Sequence, residues 1–121
     1  MSAIEIPLPD AARGSAFARM TRRRGVDLAT VNLCCSVSSD GTTRFAFGAV
    51  GPRPFAVTDE TGVLADVGAD PAQQDAALRE LTGQATPISN VRASREYREA
   101  MLLVLARRAL HSARERLHAH A

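Results

Sequence analysis

Apolar and polar positions alternate most regularly between residues 28 and 38, where Val31, Leu33, Cys35 and Val37 recur at a period of two. That spacing puts them on one face of a strand, and the β-branched and small residues around them suit a pleated, half-buried surface. Ser39-Asp40-Gly41 is a hairpin signal. The return strand is expected over Thr43–Val50, with Phe45 and Phe47 on one face. Gly51-Pro52-Arg53-Pro54 breaks it, and Phe55-Ala56-Val57-Thr58 reads as another strand. Upstream, residues 2–10 suggest a short leading strand, Ala3-Ile4-Glu5-Ile6, stopped by Pro7 and Pro9.

The period changes after residue 70. Asp70-Pro71 is a helix start: aspartate accepts from free N–H groups, proline suits the first helical position, and Gln73 has capping-box spacing. The helix is expected from Ala72 to Leu81, with Gly83 as its stop. Residues 84–93 read as a loop around Pro87. Ser94 then caps a long final helix whose apolar stripe is Leu103, Ala106, Leu110, Ala113 and Leu117, widened by Tyr97, Met101 and Val104. Residues 118–121 are expected to fray. Strands followed by helices, without βαβ alternation, predict an α+β fold: a small antiparallel sheet of three to four strands with two to three helices on one face.

Composition narrows this picture. With 121 residues, 45% hydrophobic and 23% charged, the chain is expected to be one globular domain spanning 1–121, with 1–12 as its leading edge. No secretory signal is visible, and the longest apolar run is Met101–Ala106, far short of a membrane span. The adjacent cysteines Cys34 and Cys35 point to opposite faces of their strand and do not suggest a disulfide, so a reduced, cytoplasmic setting is expected. All fifteen cations are arginine. Five lie between Ala11 and Arg24 without an acid, giving a local +5. Six acids and one arginine between Asp59 and Glu80 give a local −5 and read as a solvated face.

Catalytic chemistry is sparse. His111 and His118 are two helical turns apart, too far to share a metal, and His120 lies in the tail. No glycine-rich turn follows the phosphate-cradling pattern, and no carboxylate–histidine set suggests a hydrolase. The Arg22–Arg24 run carries charge, but a net charge of +2 and 4% aromatics argue against nucleic-acid binding.

Three segments carry a family likeness. They are Phe17-Ala18-Arg19-Met20-Thr21-Arg22-Arg23-Arg24-Gly25-Val26-Asp27-Leu28-Ala29-Thr30-Val31, then Phe47-Gly48-Ala49-Val50-Gly51-Pro52-Arg53-Pro54, then Pro87–Arg98 running on to Leu105–Leu110. In this order they resemble the C-terminal domain of the FAD-binding, or medium, subunit of molybdenum hydroxylases, the group of xanthine dehydrogenase and aerobic carbon monoxide dehydrogenase. The resemblance implies an oxidoreductase component in which electrons pass from molybdenum through two [2Fe–2S] clusters to FAD. It implies that FAD is shared with a larger N-terminal FAD-binding part and is not held by this chain alone. The implied partners are that part and the iron–sulfur and molybdopterin subunits.

Arg19 stands where the family often carries a lysine near the flavin ring, which makes it the cofactor-binding candidate. Asp27 is implied to be structural, and Tyr97 and Arg98 to be packing and ion-pair residues. Asn90 stands where aspartate is common. The rival expectation is a stand-alone dimerisation or interaction module without redox activity.

Overall fold

The structure, a computed structural model, describes residues 2–8, 10–21, 29–48, 53–85 and 94–119. Four strands come first: β1 (Arg13–Thr21), β2 (Ala29–Ser38), β3 (Thr43–Gly48) and β4 (Phe55–Asp59). Two helices follow, α1 (Pro71–Thr82) and α2 (Arg95–Ala119). The strands lie in chain order, each antiparallel to its neighbour. This is the expected α+β architecture. None of the described helices is long and apolar enough to cross a membrane.

The inner face of the sheet follows directly from the alternation. Ala16, Cys35, Phe45 and Val57 stand in one row across the ladders, and Ala18, Leu33, Phe47 and Phe55 in the next. Phe45 and Phe47 are stacked, with centroids 5.9 Å apart and planes 3° from parallel; Phe55 tilts against Phe47 at 5.2 Å. Helix α2 covers this face, adding Leu102, Leu105, Ala106, Ala109, Leu110 and Ala113 to the same core. Its buried stripe is turned from the expected one. Leu102 and Leu105 lie in the core, Leu103 is half-buried and Tyr97 is exposed, so only Ala106, Leu110, Ala113 and Leu117 fall where the pattern put them. Six consecutive apolar residues let several registers fit the helical period, and packing against β1 and β2 selects among them.

Strand β1 is the element the pattern did not announce. Its inner face consists of Gly14, Ala16, Ala18 and Met20, too small to read as a hydrophobic stripe. The reason is close approach: a Cβ at Gly14 would overlap the Ala113 carbonyl oxygen and the Leu117 amide nitrogen of α2. Conversely, Ala3–Ile6 is not a strand in this structure. Residues 2–8 are exposed, without regular structure or a ladder partner among the described residues. At the other end, α2 continues through His118 to Ala119, so the expected fraying at 118 and 119 gives way to helix; residues 120–121 lie outside the described set.

The turns are fixed by side-chain oxygens. Gly41, at φ 94°, allows the β2–β3 reversal, and the Asp40 carboxylate accepts from the Thr42 N–H at 2.9 Å, which holds its pKa below the usual value. Asp70 caps α1 by accepting from Ala72 N, and the Ser94 hydroxyl accepts from Tyr97 N at the start of α2.

Asp59 departs from the solvated acidic face expected for 59–80: it is buried. Its carboxylate takes the Thr61 hydroxyl at 2.6 Å and the Leu64 N–H at 3.4 Å, drawing Leu64 fully into the core. The Leu64 carbonyl accepts from Arg114 Nε of α2 at 2.7 Å. Asp75 joins α1 to α2 through Arg107, and the hydrogen bonds from Arg107 and then Arg79 hold its carboxyl below the ordinary range.

Two buried hydroxyls, Ser36 Oγ and Thr43 Oγ1, have no hydrogen-bond partner among the described residues. Thr43 is the fully buried one, on β3. Thr43→Val keeps the shape and removes the unsatisfied hydroxyl. It is expected to stabilise the domain by about 1 kcal/mol, measured as a raised midpoint in urea unfolding.

Candidate functional site

The two faces of the sheet differ sharply. Both described helices lie on the inner side of the domain, leaving the outward side chains of the four strands uncovered by any helix described here. Strand alternation decides what that open face presents. Its central row is Phe17, Cys34, Ala46 and Ala56, one residue from each strand. Phe17 is 64% exposed, so an aromatic ring stands at the edge of a platform of small side chains.

The next row towards the β1 C-terminus is Arg19, Asn32 and Gly48. Arg19 is exposed and lies two residues from Phe17 on the same side, about 7 Å along the strand. Asn32 leans over Gly48: a Cβ there would overlap its amide oxygen and come within 3.1 Å of its Cγ. Glycine at 48 therefore gives the Asn32 amide its seat. The row on the far side of Phe17 contains Ser15, Ser36, Arg44 and Thr58. Together these rows hold two arginines and no acid. Six of the chain's thirteen acids lie instead on the 59–80 segment.

The adjacent cysteines divide between the faces as expected. Cys35 is completely buried between Ala16 and Phe45, and burial pushes its thiol up to about 12, with the neighbouring Cys34 adding to the rise and Arg114 opposing it. At that pKa it is a core residue and not a nucleophile. Cys34 is half-buried on the open face. His111 pairs with Glu115 at 3.1 Å on exposed α2, and no group of three or more ligating side chains occurs among the described residues.

Arg19 is thus placed on an open platform, beside an aromatic ring and an oriented amide. Phe17 and Asn32 were not singled out as site residues by sequence reasoning. The signal for them was available in the two-residue alternation of β1 and β2, once β1 is recognised as a strand. Arg22, Arg23, Arg24 and Asp27 lie outside the described residues, as do Gly51, Pro52 and Asn90. Tyr97 is exposed at the start of α2, whereas Arg98 is buried.

This platform fits one wall of a flavin ring. A cation and an amide are the groups needed at the carbonyl edge of the pyrimidine ring, and a flat apolar surface suits a planar aromatic system. The described residues do not fit the diphosphate. The loop from β4 to α1 carries Glu60, Asp66 and Asp70, and the helix start is already occupied by the Asp70 carboxylate. The broad cleft of about 620 Å³ between that loop and α1 is lined by Asp59, Glu60 and Glu80, which would repel an anionic dinucleotide.

The comparisons with known proteins agree with the fold. Residues 15–113 match the family described as the CO dehydrogenase flavoprotein C-terminal domain, and the chain belongs to that family. Its structure is similar to CO dehydrogenase from Oligotropha carboxidovorans, with TM-score 0.72 and 28% identity over 92% of this chain. It is also similar to CO dehydrogenase from Hydrogenophaga pseudoflava, with TM-score 0.70 and 28% identity over 92% of the chain. Quinoline 2-oxidoreductase from Pseudomonas putida 86 follows, with TM-score 0.67 and 25% identity over 91%. The chain spans 40% of each of the two CO dehydrogenase chains and 39% of the quinoline enzyme's chain. Curated protein sequences gave no match.

Proposed function

We propose that this chain is the C-terminal domain of an FAD-binding subunit in a molybdenum hydroxylase-type oxidoreductase, and that its open sheet face walls the flavin ring. The observation that carries the reading is the row Arg19–Asn32–Gly48 beside Phe17, on the face no described helix covers. FAD, when bound, supplies electron transfer to an outside acceptor. The chain's own residues position and tune it. Phe17 and the small side chains beside it exclude water from the ring. The Asn32 amide, held over Gly48, offers a hydrogen bond at the carbonyl edge. Arg19 places positive charge where reduction adds negative charge.

The dinucleotide's phosphates are held by a larger FAD-binding part of the subunit, so the chain does not retain FAD alone. The further partners are iron–sulfur and molybdopterin subunits, which deliver the electrons.

The test is made on the chain joined to its FAD-binding part. Arg19→Ala is expected to lower the flavin midpoint potential by about 30 mV, the equivalent of about 1.4 kcal/mol for a two-electron couple. Arg19→Lys is expected to restore most of it, because the charge returns. An Arg19→Ala flavoprotein with unchanged potential and flavin content would remove Arg19 from the site.

A further inference from the structure

Gly48 is a glycine without a backbone reason. Its φ is not positive, unlike those of Gly41 and Gly62, so a larger residue can adopt its conformation. Glycine weakens a strand, and where one occurs it marks a place that another group approaches closely. Here that group is one side chain. The three heavy atoms nearest to a Cβ at Gly48 all belong to the Asn32 amide: Oδ1 would be overlapped, Cγ would lie at 3.1 Å and Nδ2 at 3.3 Å. At Gly14 the atoms in the way are backbone of α2; at Gly48 they are the far end of a side chain that can swing aside.

We infer that Gly48 is a positioning residue of the flavin wall: its missing side chain fixes where the Asn32 amide stands, and through that amide it sets the flavin's reduction potential. This rests on the reading that the open sheet face walls a flavin ring. Gly48 and Asn32 are direct cross-strand partners, and Arg19 is the partner of Asn32 on the other side, so the three form one row. Opposed residues in such a row stand about 5 Å apart. Arg19 bounds the amide on one side, and on the other it has room because position 48 carries no side chain. A methyl group at 48 drives the amide off its seat. The inward-facing neighbours Leu33 and Phe47 stay in the core, because the change lies on the opposite face. A hydrogen bond from the amide to a ring carbonyl strengthens as reduction adds negative charge to that oxygen. Losing it favours oxidised flavin and lowers the potential.

The test uses the chain joined to its FAD-binding part and, separately, the chain by itself. In the joined protein, Gly48→Ala is expected to shift the flavin about tenfold towards the oxidised form at a fixed ambient potential, a fall of roughly 30 mV for a two-electron couple. Asn32→Ala is expected to match it. The double variant Gly48→Ala/Asn32→Ala should fall no further than Asn32→Ala, because the methyl group then has no amide to displace. In the isolated chain, Gly48→Ala should move the NMR resonances of the Asn32 side-chain amide while the thermal midpoint stays within a few degrees of wild type, since only a side-chain end has to yield.

Unmoved Asn32 resonances in the isolated Gly48→Ala chain, or a large loss of stability, would overturn the role of Gly48 whatever the flavin does. With flavin bound, an unchanged potential in Gly48→Ala, or shifts that add in the double variant, would overturn that role and leave the flavin wall standing. A wild-type protein that never holds flavin would overturn the flavin wall and the role of Gly48 with it.

Discussion

Gly14→Ala is expected to destabilise the domain by about 3 kcal/mol or more, the largest effect of any single methyl group added to it. The methyl carbon would occupy space held by the Ala113 carbonyl oxygen and the Leu117 amide nitrogen. These are backbone atoms in the C-terminal third of α2, so no rotamer change relieves the overlap. Either α2 moves away from β1 or β1 bends outward, and each opens the core beneath Ala16, Ala109 and Ala113. For a domain of this size the thermal midpoint should fall by roughly 10–15 °C. A companion substitution at the hairpin, Asp40→Ala, removes only an exposed turn contact and should leave the midpoint within a few degrees. A Gly14→Ala protein as stable as wild type would mean that α2 does not approach β1 this closely.

The second large effect is alkaline destabilisation through Cys35. Its thiol has an ordinary value of 9.0 in the unfolded chain and is pushed up to about 12 by burial in the fold. Above pH 9 the unfolded chain loses this proton while the folded chain keeps it. Stability contributed by the buried thiol is therefore complete below pH 9 and is lost progressively as pH rises towards 12. One proton gives about 1.4 kcal/mol per pH unit, so roughly 2.7 kcal/mol is lost by pH 11. Cys35→Ala costs core packing at neutral pH but should flatten the slope between pH 9 and 11. Urea unfolding of both proteins at intervals across that range is the check. Parallel pH profiles would show that Cys35 is not the group responsible.

The same two residues show which parts of the fold the sequence could disclose. Cys35 belongs to a run in which Val31, Leu33, Cys35 and Val37 are large or β-branched enough to reveal their period, and the structure buries all four. β3 and β4 were legible for the same reason, through Phe45, Phe47, Phe55 and Val57. Helix α1 was legible through its caps, because Asp70 and Gly83 mark its ends chemically. β1 was hidden because tight helix packing selects Gly14, Ala16 and Ala18, whose small side chains barely register as hydrophobic. The five arginines around it drew attention to charge instead.

Arg19 was legible only through the family likeness of its segment. Alternation alone assigns it to a face but gives that face no purpose. Asn32 became part of the site only when the β2–β3 register set it over Gly48, a relation across sixteen residues of chain that no local pattern carries. The N-terminal segment failed in the opposite way. Ala3–Ile6 has the composition of a strand, but a strand is defined by its ladder partner, and none of this chain's described strands supplies one.

Gel filtration with visible absorbance is the decisive check on the proposed flavin wall, whose grip on the dinucleotide would lie elsewhere. It is run on the purified chain mixed with FAD, and then on the same mixture after adding the FAD-binding part. A colourless domain is expected in the first case, and in the second a complex that co-elutes with one flavin per pair. A yellow domain on its own, or a complex that never retains flavin, would contradict it.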